Sequence, residues 1–177
     1  MIGLVARLGL VLMAAVQPGE GTWTGRVAGA VDGDTLRVRG EGDVIHKVRI
    51  FGIDAPENGQ PFGPAARDHL AKTTRDREVQ VSEVAVDDAG RTVARVRMNG
   101  NDLAIDMLAA GLAWYQRDDV EDPALEAEER RAKARTTGLW IDKDPIAPWE
   151  WRAAEEVRRK ARKRPAADPA RPAPATR

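Results

Sequence analysis

From Thr22 the chain alternates apolar and polar positions with a period of two, with Trp23, Val27 and Val31 on one stretch and Leu36 and Val38 on the next. That periodicity predicts strands over residues 22–31, 35–38 and 44–50. Asp32-Gly33 is a hairpin signal between the first two, and Gly40-Glu41-Gly42 turns the chain into the third. Three consecutive strands make an antiparallel meander. The period then becomes helical over 61–73, where Pro64 sits near the start and Ala65, Ala66, His69 and Leu70 recur at helical spacing. Two more strands, 79–84 and 92–98, flank the turn Asp87-Asp88-Ala89-Gly90. Asn101 or Asp102 can cap a helix that runs through Ala110 and stops at Gly111, and a further helix over 123–137 stops at Gly138.

Five short strands with about three interspersed helices predict an α+β, mainly β class, and within it a small closed barrel of the OB-fold type, which binds oligonucleotides across one face. The expected domain covers residues 22–151. Residues 1–16 carry one charge, Arg7, followed by an apolar run from Leu8 to Val16 and the small pair Ala14-Ala15. This is the pattern of a secretory signal, which places the protein outside the cell or in the periplasm, or of an N-terminal membrane anchor. Residues 152–177 form a basic Pro/Ala-rich tail, with a short basic helix over 153–164 and a mostly disordered remainder in which four of the 11 prolines lie.

Composition removes several chemistries. The 177 residues contain no cysteine and two histidines, so disulfides, thiolate nucleophiles and thiolate-bound metals are excluded. No run of about 18 apolar residues exists to span a membrane. Lys plus Arg and Asp plus Glu each total 28, yet nine basic and four acidic residues lie between Glu150 and Arg177, leaving 19 basic and 24 acidic before them. An acidic body with a basic tail follows.

The informative polar residues fall in two blocks, Asp32-Gly33-Asp34-Thr35 and Arg49 through Glu57, together with Gly90-Arg91. Asp34, Asp54 and a backbone carbonyl such as that of Ala55 are hard oxygen donors suited to Ca²⁺ or Mg²⁺. Arg49 and Arg91 are forked donors matched to a phosphate, and Glu57 can orient or deprotonate a water. Taken singly, each has a plainer reading, as a turn, a loop cap or a turn exit. Asp32-Gly33-Asp34 also opens like an EF-hand loop, but Leu36 takes the fifth position and no helix precedes it. His46 and His69 read as surface or packing residues, and the five tryptophans as core and tail-docking residues.

In combination, the strings VDGDTLRV, VRIFGIDAPE, DDAGRTVARV, NDLAIDMLAAGLAW and GLW with APWEWR resemble the staphylococcal nuclease-like (thermonuclease) family over about residues 25–151. The resemblance implies an OB-fold barrel and a monomeric Ca²⁺-dependent nuclease. It would cut single-stranded or frayed DNA and RNA and leave 3′-phosphate ends. It implies that Asp34, Asp54 and the Ala55 carbonyl hold calcium, that Glu57 acts on the attacking water, and that Arg49 and Arg91 bind the scissile phosphate. Ala89, Tyr115 and Arg117 are the substrate-binding candidates. Ala89 stands where family members carry an aromatic, and Arg117 and Asp119 stand where tyrosines often line the nucleotide pocket. Each lost base–aromatic stack removes about 1–3 kcal/mol of binding. The rival readings are a non-catalytic OB module for single-stranded nucleic acid or a protein partner, and an oligosaccharide-binding OB protein. The first would lack members of the charged cluster, and the second would need aromatic platforms without paired arginines.

Overall fold

A computed structural model describes residues 21–117 and 121–163. In chain order the elements are β1 (Thr22–Ala30), β2 (Thr35–Arg39), β3 (Ile45–Ile50), β4 (Ile53–Asp54), α1 (Gly63–Thr74), β5 (Glu78–Val86), β6 (Thr92–Met98), β7 (Asn101–Asp102), α2 (Leu103–Ala109), β8 (Trp114–Tyr115), α3 (Pro123–Ala134) and α4 (Pro148–Lys163). The expected signal segment at 1–16, Asp119, and the tail beyond Lys163 lie outside the described residues.

The five long strands run in the order β3-β2-β1-β5-β6, antiparallel throughout, and a parallel pairing of β3 with β6 closes them into a mixed barrel, an OB-fold. Alternation explains the interior. Leu36 and Val38 of β2, Val48 and Ile50 of β3, Val79 and Val81 of β5, and Ala94 and Val96 of β6 are all buried, while Arg37 and Arg39 between them face water. Irregular register between Val27 and Gly29, and again between Glu83 and Ala85, supplies the local bend that a closing sheet needs. Leu70 of α1 and Leu103, Met107 and Leu108 of α2 complete the same core, with Leu125 of α3 against it.

Helix boundaries follow their caps. The Asp102 side chain accepts the Ala104 N–H at 2.9 Å, and Asp122 accepts the Ala124 N–H at 3.1 Å, each satisfying a donor at its helix start. The expected helix over 123–137 ends at Ala134, because the chain turns left-handed at Thr136 with φ 49°. Asp32-Gly33 does not form the tight two-residue hairpin that its sequence predicts. The loop closes from the Val31 N–H to the Thr35 carbonyl at 2.8 Å, and Gly33 is not left-handed. Its role is close approach, since a Cβ there would lie 2.6 Å from that of Ala66 and 2.7 Å from that of Ala55.

The two-residue strands β4 and β8 pair antiparallel, Ile53 opposite Tyr115 and Asp54 opposite Trp114. They are too short to show a period. A second, smaller apolar cluster of Trp114, Leu139 and Ala147, with Phe62 and Trp140 against it, docks the C-terminal segment. The Gln60 side-chain amide donates to the Ile146 carbonyl at 2.6 Å and fastens the same segment. The basic helix expected over 153–164 starts five residues earlier, at Pro148, and so takes in Trp149, Trp151 and Arg152. No helix among the described residues is long and apolar enough to cross a membrane.

Two left-handed glycines interlock where α2 and α3 end. Gly111 has φ 64° and Gly138 φ 58°, and a Cβ on Gly138 would lie 2.2 Å from the Gly111 carbonyl oxygen. Gly138→Ala is expected to destabilise the fold by roughly 3 kcal/mol, the upper end for a forced left-handed backbone, because the atom it meets is main chain. A urea-unfolding midpoint within error of wild type would contradict this.

Candidate active site

The site begins with strand register. Thr35 lies opposite Arg49 in the β2–β3 pair, so Asp34, one residue before β2, comes beside the Arg49 side chain. Asp34 Oδ1 accepts the Thr35 hydroxyl at 2.8 Å and an Arg49 N–H at 3.1 Å, and Oδ2 accepts the Ala55 N–H at 3.0 Å. The other arm of the Arg49 fork donates to Asp54 at 3.0 Å. One guanidinium therefore bridges two carboxylates. The Asp54 side chain is 1% exposed and that of Arg49 14%, so the charges sit at the edge of the core.

Burial is the main influence on Asp34 and pushes its carboxyl up to about 7, against the opposing pull of Arg49 and the Ala55 N–H and with the help of neighbouring Asp32 and Asp54. Burial also works against the Arg49 charge, but Asp34 and Asp54 outweigh it and hold the guanidinium above its ordinary range. The cluster is thus short of positive charge.

Arg91 arrives from the far side of the barrel. The parallel closure sets Val48 opposite Thr92 and Arg49 opposite Val93, which brings the start of β6 next to β3. Asp87 fixes Arg91 by accepting its backbone N–H at 2.9 Å and its Nε–H at 2.7 Å, and Gly90 takes φ 72° to make the turn. Desolvation is the largest single influence on the Asp87 carboxyl and raises it, but the Arg91 bonds and charge, with the Ala89 N–H, together outweigh it and hold the group below its usual range. Glu57 sits on a loop where its N–H donates to Gln60 Oε1 at 3.1 Å. Gly63 lets that loop fold tightly, since a Cβ there would lie 1.9 Å from the Glu57 carbonyl oxygen.

Asp34, Arg49, Ala55, Glu57, Ala89 and Arg91 all line one open groove of about 800 Å³. Asp54 does not line it; Asp54 lines a neighbouring second cavity. Tyr115 and Arg117 do not line that groove either; they line the same second cavity with Trp114, Trp149 and Arg152. The Tyr115 hydroxyl accepts the Asp122 N–H at 2.8 Å, and Arg117 lies 5.8 Å over the tyrosine ring while pairing with buried Glu129 at 3.0 Å. The histidines are packing residues: His69 pairs with Asp106 at 2.9 Å and His46 lies 4.9 Å from the Trp23 ring.

Arg152, which the sequence marks only as the end of the APWEWR string and the start of the basic tail, is central to the geometry. From the second turn of α4 its fork donates to both Asp54 oxygens, at 3.2 and 2.8 Å, and to Glu57 at 2.8 Å. The bonds to Asp54 come first in raising its pKa above the ordinary arginine range, with desolvation opposing and Glu57 adding. It lies 98 residues from Asp54 along the chain, and no spacing rule links them. The only signal is the local string Trp149-Glu150-Trp151-Arg152, a cation among large rings in an otherwise charged helix.

A hard cation suits the donor set in kind, since Asp34, Asp54 and the backbone offer oxygen alone and Asp34 is short of compensating charge. Among the described residues no group of three His, Cys, Asp or Glu side chains could hold a metal. An ion here would therefore complete its shell from carbonyls and water, and would compete with Arg152 for Asp54.

A family model described as "Staphylococcal nuclease homologue" matches residues 47–142. A micrococcal nuclease of Shigella flexneri is 36% identical over 158 residues, covering 83% of this chain and 90% of that protein. An "uncharacterized endonuclease" of Haemophilus influenzae is 34% identical over 134 residues, 76% of this chain and 75% of its own length. Protein ParB of Escherichia coli is 32% identical over 167 residues, 88% of this chain and 94% of that protein. Asp34, Trp149 and Arg152 fall outside the span of the family model.

The two arginines on Asp54 should differ in their contribution to stability. Arg49→Ala removes the cation paired with buried Asp34 and one of the two on Asp54, and is expected to cost about 3–5 kcal/mol. Arg152 is 46% exposed in its side chain, and Arg152→Ala is expected to cost about 1 kcal/mol or less. Urea titrations of both variants in chelator measure the contrast, and equal losses would refute it.

Proposed function

The chain belongs to the staphylococcal nuclease homologue family, and on that premise we propose a Ca²⁺-dependent nuclease that hydrolyses DNA and RNA, prefers single strands, acts as a monomer and leaves 3′-phosphate ends. Its enzyme class is phosphodiester hydrolase. The observation that carries the finer reading is the convergence of Arg49, Arg91 and Glu57 on one groove that buried Asp34 also lines, with Arg49 paired to both Asp34 and Asp54.

Attack on a phosphodiester builds negative charge on the phosphate oxygens, and fixed cations stabilise that charge more than they stabilise the ground state. Arg49 and Arg91 supply two forks, each held by acidic partners, Asp34 and Asp54 for one and Asp87 for the other. Little reorientation is then needed when substrate arrives. Glu57 is half exposed on the groove wall and takes the role of the group that orients or deprotonates the attacking water. Asp34, Asp54 and the Ala55 carbonyl would hold Ca²⁺, whose charge would add to that of the arginines at the phosphate. In the N-terminal region, residues 1–16 would direct export, leaving a mature N-terminus near Gln17 in mass spectra of the native protein.

Denatured DNA incubated with the purified protein should be cut in Ca²⁺ and left intact in chelator; equal cleavage in both would sink the metal assignment. Arg49→Lys and Arg91→Lys should each lower turnover by about 10²-fold or more, since a point charge cannot replace a fork. Glu57→Gln should fold normally and hydrolyse slowly. Wild-type turnover in both lysine variants would move the phosphate site elsewhere.

A further inference from the structure

We propose that the second cavity, between β8, α3 and the start of α4, is a nucleobase subsite that receives a nucleotide of the substrate strand beyond the catalytic groove. This inference rests on the nucleic-acid reading above and extends it to Trp114, Lys133 and Trp149, which that reading does not use. The cavity measures about 460 Å³, a volume within the usual range for small-ligand pockets. Three rings, Trp114, Tyr115 and Trp149, and three cations, Arg117, Lys133 and Arg152, line it. That composition suits a base stacked on an aromatic face with its phosphate beside Arg or Lys.

Trp149 is the platform. It is 45% exposed although it is among the largest apolar side chains in the protein, and it meets Trp114 edge to face, with centroids 6.5 Å apart and planes at 74°. Trp114 and Tyr115 are nearly buried and form the floor. The catalytic groove, by contrast, has Phe51 as its one lining ring, and Ala89 occupies its turn. The stacking surface absent from that turn is therefore present on the other side of the carboxylate cluster, supplied by a helix outside the span of the family model.

Charge points the same way. The two lining carboxylates are already matched, Glu129 by Arg117 at 3.0 Å and Lys133 at 2.9 Å, and Asp54 by Arg49 and Arg152. The mouth of the cavity thus presents half-exposed cations to solvent, while its acids are held beneath them. Arg152 and Gln116 line both this cavity and the catalytic groove, so the two adjoin. A strand whose scissile phosphate meets Arg49 and Arg91 would pass over Arg152 to place its next base on Trp149.

The test uses the whole protein and a phosphorothioate-linked tetranucleotide in Ca²⁺, which reports binding without turnover. Wild-type protein should bind it with quenched tryptophan emission, and replacing one base with an abasic residue should weaken binding about tenfold at one particular position. Trp149→Leu keeps an apolar contact with Trp114 but removes the stacking face; it should lose most of the quench and about tenfold in affinity, and raise KM for denatured DNA more than it changes kcat. Trp149→Phe should recover most of that affinity. Abasic residues tolerated at every position, wild-type binding by Trp149→Leu, or equal losses in the Leu and Phe variants would each overturn the subsite. Hydrolysis with Trp149-independent binding would leave the nuclease reading standing and remove this one. Trp149-dependent binding without hydrolysis would do the reverse.

Discussion

Asp34 and Asp54 lie almost fully buried at the mouth of the barrel, and the Arg49 guanidinium between them holds the arrangement together. Two carboxylates this close repel, and burial penalises each charge further. A lysine could meet one of them; only a planar fork can donate to both at about 3 Å along separate arms. Everything around the pair serves that geometry. The β2–β3 register sets Asp34 beside Arg49, the Ala55 N–H fixes the second Asp34 oxygen, and the short pairing of β4 with β8 sets Asp54 opposite Trp114. The cost to local stability is also the functional opportunity, because a cluster short of positive charge is one that a cation or a phosphate-binding arginine can complete.

Closure of the barrel is the second requirement. The parallel contact between β3 and β6 joins the two ends of the sheet, and it carries Arg91 across to the Arg49 side. Without it the two forks would belong to different faces of an open sheet. Asp87 then holds Arg91 through a tight four-residue turn, so that its direction is set by local hydrogen bonds and its position by the barrel.

The C-terminal segment adds a third layer. Trp114, Trp140 and Trp149 form a chain of edge contacts that anchors the path from α3 to α4, and this docking lets α4 project Arg152 onto Asp54 and Glu57. The same aromatic docking leaves part of Trp149 in water beside three cations. The carboxylate cluster and the aromatic cavity therefore share Arg152 as a common wall.

Local chemistry was enough to specify the long elements, because their information lies in period and caps. Leu36, Val38, Val48 and Ile50 alternate into the core, Asp102 and Asp122 cap helices, and Gly111 follows the end of α2, all within a few residues of the elements they bound. The acidic and basic residues of the two polar blocks were likewise legible as candidates for one site, and the fold brings Asp34, Arg49 and Asp54 into contact. What the sequence could not specify were relations without a period or a fixed spacing. Two-residue strands such as β4 and β8 carry no alternation, and Gly33 looks like a turn residue until Ala55 and Ala66 close in on it from distant elements. Tyr115 and Arg117 look like neighbours of Ala89 in one substrate groove until the β8 pairing turns them into another cavity. Arg152 meets Asp54 across 98 residues of chain, through two contacts among three tryptophans whose strength depends on burial, and only the tertiary structure creates that burial.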